Sequence, residues 1–183
     1  MPVRKIPLLE NHIYHIYNRW FEKQWIYRSI NDFERFLSLM QKYLTEHPWV
    51  NLYSYAILPN HFHFIIHIRT EWNQLSIFMS KLQQAYSMYF QLKYRSSIPG
   101  LKWRSLFEWR FKAKLIDTDE YLYQCLAYVN YNPVKHNLVK NIEDYPYTSY
   151  HQMMHGKKRV PLTWDYKKAV QVWKDVELSE FEF

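Results

Sequence analysis

The feature that most limits the fold is a pair of strand-like runs joined at Pro59-Asn60. Val50 to Leu58 (VNLYSYAIL) alternates with period two, Pro59-Asn60 reads as a turn, and His61 to Ile68 returns as a hairpin partner. A segment of helical period lies on either side. Asn31 or Asp32 can cap a helix running to about Glu46, with Phe36, Met40 and Leu44 on its apolar face, and His47-Pro48 ends it. Gln74 to Lys93 carries Leu75, Phe78, Met79, Leu82 and Tyr86 on one stripe. Outside these, Asn11 to Asn18 (NHIYHIYN) reads as a strand, and so does Trp109 to Ile116, where Arg110, Lys112 and Lys114 alternate with apolar residues. The order β-α-β-β-α-β predicts an α+β protein with a ferredoxin-like split βαβ antiparallel sheet and its first two helices on one face. A third helix follows, with Asp117 and Glu120 as a capping box, and runs to about Asn130, where Pro133 stops or kinks it. It can cross the open face of the sheet. No repeat or long linker divides the chain, so residues 1–150 are expected to form one domain. Residues 151–183 are expected to be an extension packed on or near it, with a last short helix from Trp164 to Trp173.

Composition narrows the class of activity. A net charge of +7 and 20% aromatic residues suit a polyanion with unstacked bases. With only 2 glycines there is no Gly-rich phosphate cradle, so no nucleotide cofactor is expected. Cys125 is the sole cysteine, which excludes an intrachain disulfide and a thiolate zinc site. No apolar run approaches the roughly 18 residues of a membrane helix, and no signal-peptide pattern opens the chain. A cytoplasmic protein with no membrane partner is the expectation.

Within the hairpin, His61 and His63 flank Phe62. On a strand both imidazoles point to one side while Phe62, Phe64, Ile66 and Ile68 anchor the other. Neutral imidazole is the commonest side-chain metal ligand. Alone the pattern is weak, and two histidines satisfied by local hydrogen bonds account for it more readily. His67 shares the face but lies further along, and His12 and His15 fall on opposite faces of their strand, against both being ligands. On the third helix, Leu122, Leu126 and Val129 form an apolar stripe, and Tyr128 and Asn132 stand one turn apart on another side. A tyrosine on such a helix is usually packing, and an asparagine before proline is usually a turn residue.

Taken together, several stretches resemble the REP-associated tyrosine transposases, a branch of the single-tyrosine HUH transposases. They are YHIYNR from Tyr14, YAILPNHFHFIIHI from Tyr55, SLFEWRFKAKLID from Ser105, DEYL from Asp119, YVNYNPVKHNLV from Tyr128 and YPYTSY from Tyr145. The pairing of PNHFH with Y-x-x-x-N-P-V-K-H is specific, and the resemblance spans residues 14–150. It implies that His61, His63 and Asn132 hold Mg²⁺ or Mn²⁺ and that Tyr128 is the catalytic nucleophile. Tyr128 would cut single-stranded DNA near hairpin (REP-like) elements through a 5′-phosphotyrosine and rejoin it, without ATP. Hairpin DNA would lie along Arg19, Arg28, Lys102, Arg104, Arg110, Lys112 and Lys114, and a monomer is expected, with a dimer as the alternative. One departure is Trp20, where relatives often have glycine. Two other readings remain open on the residues alone: a domesticated protein that binds hairpins or single strands without cutting, and a metal hydrolase using activated water. The latter needs a nearby carboxylate, and Glu71 lies past the strand end.

Overall fold

The computed structural model describes residues 7–20, 24–70, 73–98, 106–108, 110–156 and 158–163. Four strands form one antiparallel sheet: β1 (His12–Arg19), β2 (Val50–Leu58), β3 (His61–Ile68) and β4 (Lys112–Ile116), in the order β2-β3-β1-β4. Inserting β3 between β1 and β2 is the split βαβ arrangement expected from the order of elements. The helices are α1 (Ile30–Glu46), α2 (Asn73–Tyr94), α3 (Asp119–Lys135) and a short α4 (Tyr150–His155). Among the described residues no helix is long and apolar enough to cross a membrane.

One face of the sheet carries Tyr14, Ile16, Tyr55, Ile57, Phe62, Phe64 and Ile66, which pack with α1 through Phe36 and Met40 and with α2 through Phe78, Leu82, Tyr86 and Phe90. Aromatic rings dominate this core: Phe36 meets Phe62 at 5.5 Å and Tyr86 edge-on at 5.1 Å. The other face holds a smaller cluster in which Ala56, Leu58, Ile65 and Ile116 meet Leu122, Leu126 and Val129 of α3. The third helix thus crosses the face that α1 and α2 leave open.

Four local expectations are corrected. Helix α1 starts from Ser29, and Asp32 sits inside its first turn. The Asp32 carboxylate is fully buried and accepts from the Ser29 amide at 2.8 Å, the Tyr94 hydroxyl at 2.7 Å and the Lys93 ammonium at 2.7 Å, so it ties α1 to α2. Helix α3 is capped by Thr118, whose hydroxyl accepts from the Tyr121 amide at 3.1 Å, and it runs through Pro133 to Lys135. Proline removes one amide donor but does not break the helix, because Asn132 and Pro133 carbonyls still accept from His136 and Leu138. Strand β2 does not alternate throughout. A bulge between Leu52 and Ser54 switches the parity, so Val50 and Leu52 but then Tyr55 and Ile57 face the α1/α2 core. The switch turns Ser54 toward α3. Strand β4 begins at Lys112, so Arg110 precedes it as an exposed bend residue.

Residues after α3 fold back on the sheet. The Ile57 amide donates to the Tyr147 carbonyl at 2.9 Å and the Ser149 amide donates to Tyr55, covering the β2 edge. Val160 is buried in the main core. The expected helix from Trp164 to Trp173 lies outside the described residues.

Candidate active site

The two histidines project from β3 where β1 supplies its central partner. Tyr17 pairs with His63 and Arg19 with His61. On the α3 side, these residues open into a cleft of ≈ 390 Å³ lined by Tyr17, Asn18, Arg19, Asn60, His61, His63, Tyr128 and His136. The rings of His61 and His63 stand 5.0 Å apart and nearly perpendicular, and that of Tyr128 meets His63 edge-on at 5.8 Å. Of Tyr121, Tyr123, Tyr128 and Tyr131 on α3, only Tyr128 lines the cleft.

Each histidine is held through Nδ1. The Asn60 side-chain oxygen accepts from His61 Nδ1 at 2.6 Å, and His63 Nδ1 lies 2.8 Å from His15 Nε2. Nε2 is therefore the nitrogen left on both rings for the cleft. Burial pushes the His61 pKa down to about 4, with His136 and Arg19 acting in the same direction. Burial drives His63 well below its ordinary value, helped by His15, His61 and His136. Both rings are neutral at pH 7, the state a metal ligand needs.

The position of α3 is set by a buried polar cluster. Asn130 Nδ2 donates to the Ser54 hydroxyl, the Ser149 hydroxyl donates to Asn130 Oδ1, and the two hydroxyls meet, each at 2.8 Å. This cluster joins the bulge of β2, the middle of α3 and the start of α4, and it fixes the rotation of the helix that carries Tyr128. Burial raises the pKa of the Tyr128 phenol, while the neighbouring Asn132 amide works in the opposite direction. Tyr128 is thus a neutral phenol at pH 7.

Asn132 behaves differently from the two histidines. It is wholly buried and does not line the cleft; its Nδ2 donates to the Tyr128 carbonyl at 2.8 Å. Its Oδ1 is buried without a hydrogen-bond partner, a state that costs about 1–3 kcal/mol. A cation would relieve that cost. No three His, Cys, Asp or Glu side chains among the described residues converge well enough to hold a metal by themselves. Imidazole nitrogens suit borderline divalent ions and an amide oxygen suits harder ones, and Asn132 Oδ1 would have to leave its buried position to share an ion with the histidines.

The basic residues spread unevenly. Arg19 lines the cleft and pairs with Glu108 at 2.5 Å. Lys112 lies over the Tyr17 ring and Lys114 over the Tyr121 ring, both on the α3 side of β4. Arg28 is remote from them, its guanidinium over Tyr94 on α2. Arg110 is exposed, and Lys102, Arg104 and Glu71 lie outside the described residues. Trp20 is buried and meets Phe90 edge-on at 5.1 Å, so its indole fills the core beside α2.

Sequence reasoning gave no role to His15, Tyr17, Lys135 or His136. His136 follows the end of α3 with its ring 5.1 Å from His61, and Lys135 places its ammonium 5.0 Å from the Tyr128 ring centre. The signal for both was the extension of α3 through Pro133. For His15 and Tyr17 it was the register of β1 against β3.

No protein-family model matches the chain. A curated protein of Haemophilus influenzae, whose description as a REP-associated tyrosine transposase is itself provisional, is 29% identical over 133 residues, covering 71% of this chain and 73% of the relative. A solved structure of a REP-associated tyrosine transposase bound to a REP hairpin superposes with a TM-score of 0.68 at 16% identity, covering 90% of this chain and 92% of the other. The resemblance read from the motifs is thus found in both comparisons, and the solved structure shares the α+β fold.

Proposed function

We propose that the chain is a REP-associated tyrosine transposase that binds DNA hairpins and cleaves and rejoins an adjoining single strand. The observation that carries this reading is that Tyr128, alone among the α3 tyrosines, lines the cleft with His61 and His63, whose Nδ1 atoms are engaged elsewhere. The similarity to the H. influenzae protein supports it. A phenol facing the cleft suits strand transfer, because a phosphotyrosine conserves the energy of the phosphodiester bond for religation.

His61 and His63 through Nε2, and Asn132 through Oδ1, would hold Mg²⁺ or Mn²⁺. When bound, the ion supplies positive charge to a non-bridging oxygen of the scissile phosphate. Side-chain rearrangement of Asn132 is part of this reading, because its oxygen starts out buried. The Tyr128 oxygen attacks phosphorus in line, its O–P bond forms as the bond to the 3′ oxygen breaks, and the phenol proton is released. The departing 3′ oxygen takes up a proton, and its hydroxyl can later reverse the step. Arg19, Lys112, Lys114 and Lys135 surround this point with cations that favour the phosphate backbone. Arg28 is too remote to join them, so it would touch only flanking duplex.

The test is incubation with labelled hairpin-flanked single strands and Mn²⁺, followed by a denaturing gel. A slow-migrating covalent protein–DNA band is expected. Retention of the hairpin with no band would make the chain a binding protein, and cleavage with no band would make it a hydrolase.

A further inference from the structure

We propose that His15 is a positioning residue for His63, accepting its Nδ1 proton and so turning a bare Nε2 into the cleft. This rests on reading the cleft as a metal centre. The contact between His63 Nδ1 and His15 Nε2 is 2.8 Å and buried, so one proton lies between two rings that each have one N–H when neutral. Its direction decides what His63 can do. If His63 donates, its Nε2 keeps a lone pair for the cleft. If His15 donates, the proton of His63 sits on Nε2, and the ring cannot ligate.

The neighbouring ligand shows which arrangement a two-histidine centre requires. Asn60 offers His61 a carbonyl-type oxygen, which can only accept, so His61 carries its proton on Nδ1 and bares Nε2. Two rings can chelate only if His63 does the same. His15 is the acceptor that makes this possible. It pairs with Ile65, one pleat along from Tyr17 opposite His63, and reaches His63 across the diagonal of the strand pair. Its ring is stacked on His63 at 5.0 Å and bounded by Tyr17 at 5.2 Å and Tyr128 at 5.9 Å, which keeps Nε2 aimed at its partner. Groups that hold a metal-bound histidine in this way typically contribute about 10–100-fold in metal affinity. The same ring touches the nucleophile, so one residue of β1 braces both halves of the site.

The experiment reads ¹⁵N shifts of the histidine rings in the metal-free full chain, then Mn²⁺ affinity by titration. In the wild type, His63 should show a protonated Nδ1 and a bare Nε2. His15→Gln, whose side-chain oxygen can accept, should keep that tautomer and near-normal Mn²⁺ binding. His15→Leu should lose the tautomer and weaken Mn²⁺ binding by about 10–100-fold. A wild-type His63 protonated on Nε2 overturns the proposal. So do equal losses in the Gln and Leu variants, which would mark a packing role only. A wild type that takes up no Mn²⁺ overturns the metal reading of the cleft, a result separate from the ring shifts because those are read without metal.

Discussion

The two faces of the sheet are built on different terms. The α1/α2 face is filled by fully buried rings such as Tyr14, Phe36, Phe62, Phe64 and Phe78, with Asp32 as the polar tie between the helices. The α3 face has a small apolar cluster and spends the rest of its area on His15, His61, His63, Ser54, Asn130 and Asn132. One strand serves both, since Phe62 and Phe64 face one side and His61 and His63 the other. The first face supplies rigidity through close packing, which needs no direction. The second needs direction, because hydrogen bonds decide which nitrogen of each histidine is engaged and how α3 is turned. Rigidity on one side lets the other side carry unsatisfied groups such as Asn132 Oδ1.

The sharpest break between the faces is at the nucleophile. Tyr128→Phe keeps the ring and its packing, so it should fold and bind hairpin DNA as the wild type does, yet form no covalent band on a denaturing gel. Tyr17→Phe, which removes the other phenol of the cleft, should still form it. A band from the Tyr128 variant would move the chemistry to Tyr17 or Tyr131. His63→Ala, or EDTA added to the wild type, should likewise abolish cleavage while a native gel still shows the hairpin complex. Full cleavage in EDTA would remove the metal from the mechanism.

The next effects are on stability. Phe64→Ala on the α1/α2 face should cost about 3–5 kcal/mol in urea unfolding. Ser54→Ala on the α3 face removes a partner of Asn130 and Ser149 and should cost about 1–3 kcal/mol, with adduct formation reduced by more than the unfolded fraction explains. Equal effects on adduct and on folding would deny the cluster a positioning role.

Acid should distinguish the faces too. Burial, and then Lys114, lower the His15 pKa to about 4, against an ordinary 6.5. Between those values the unfolded chain binds the proton and the folded chain does not, so stability is full above about pH 6.5 and falls as pH drops toward 4. The loss from His15 is at most about 3 kcal/mol, and His61 adds to it. Urea midpoints of the metal-free protein at pH 7 and pH 5 should show the drop, and His15→Gln should shrink it. The smallest effect concerns charge. Neutralising Lys112 and Lys114 together should reduce the salt dependence of hairpin binding by up to about 0.9 per lost phosphate contact. An unchanged slope would place the DNA away from β4.

Much was legible because it rests on periodicity. Strand alternation separated Phe62 and Phe64 from His61 and His63, and the α3 stripes separated Leu122, Leu126 and Val129 from Tyr128. The caps of α1 and α3 were misplaced by one to three residues. Ser29 and Thr118 satisfy the helix starts, whereas Asp32 is drawn inward by Lys93, Tyr89 and Tyr94 from a distant helix. The bulge in β2 was invisible because one extra residue changes nothing in composition, only in parity.

By itself, the sequence determined the order of elements, the two faces of β3 and the apolar stripe of α3. Those follow from local periods of two and 3.6 residues, which the chain prints directly. Only the tertiary structure decided the hydrogen bonds between elements. It set His15 against His63, Asn130 against Ser54 and Ser149, and it carried α3 past Pro133 so that His136 lines the cleft and Lys135 lies over the Tyr128 ring. Such contacts depend on register and helix rotation, where a shift of one residue moves a side chain by several ångströms, and no local pattern records that distance.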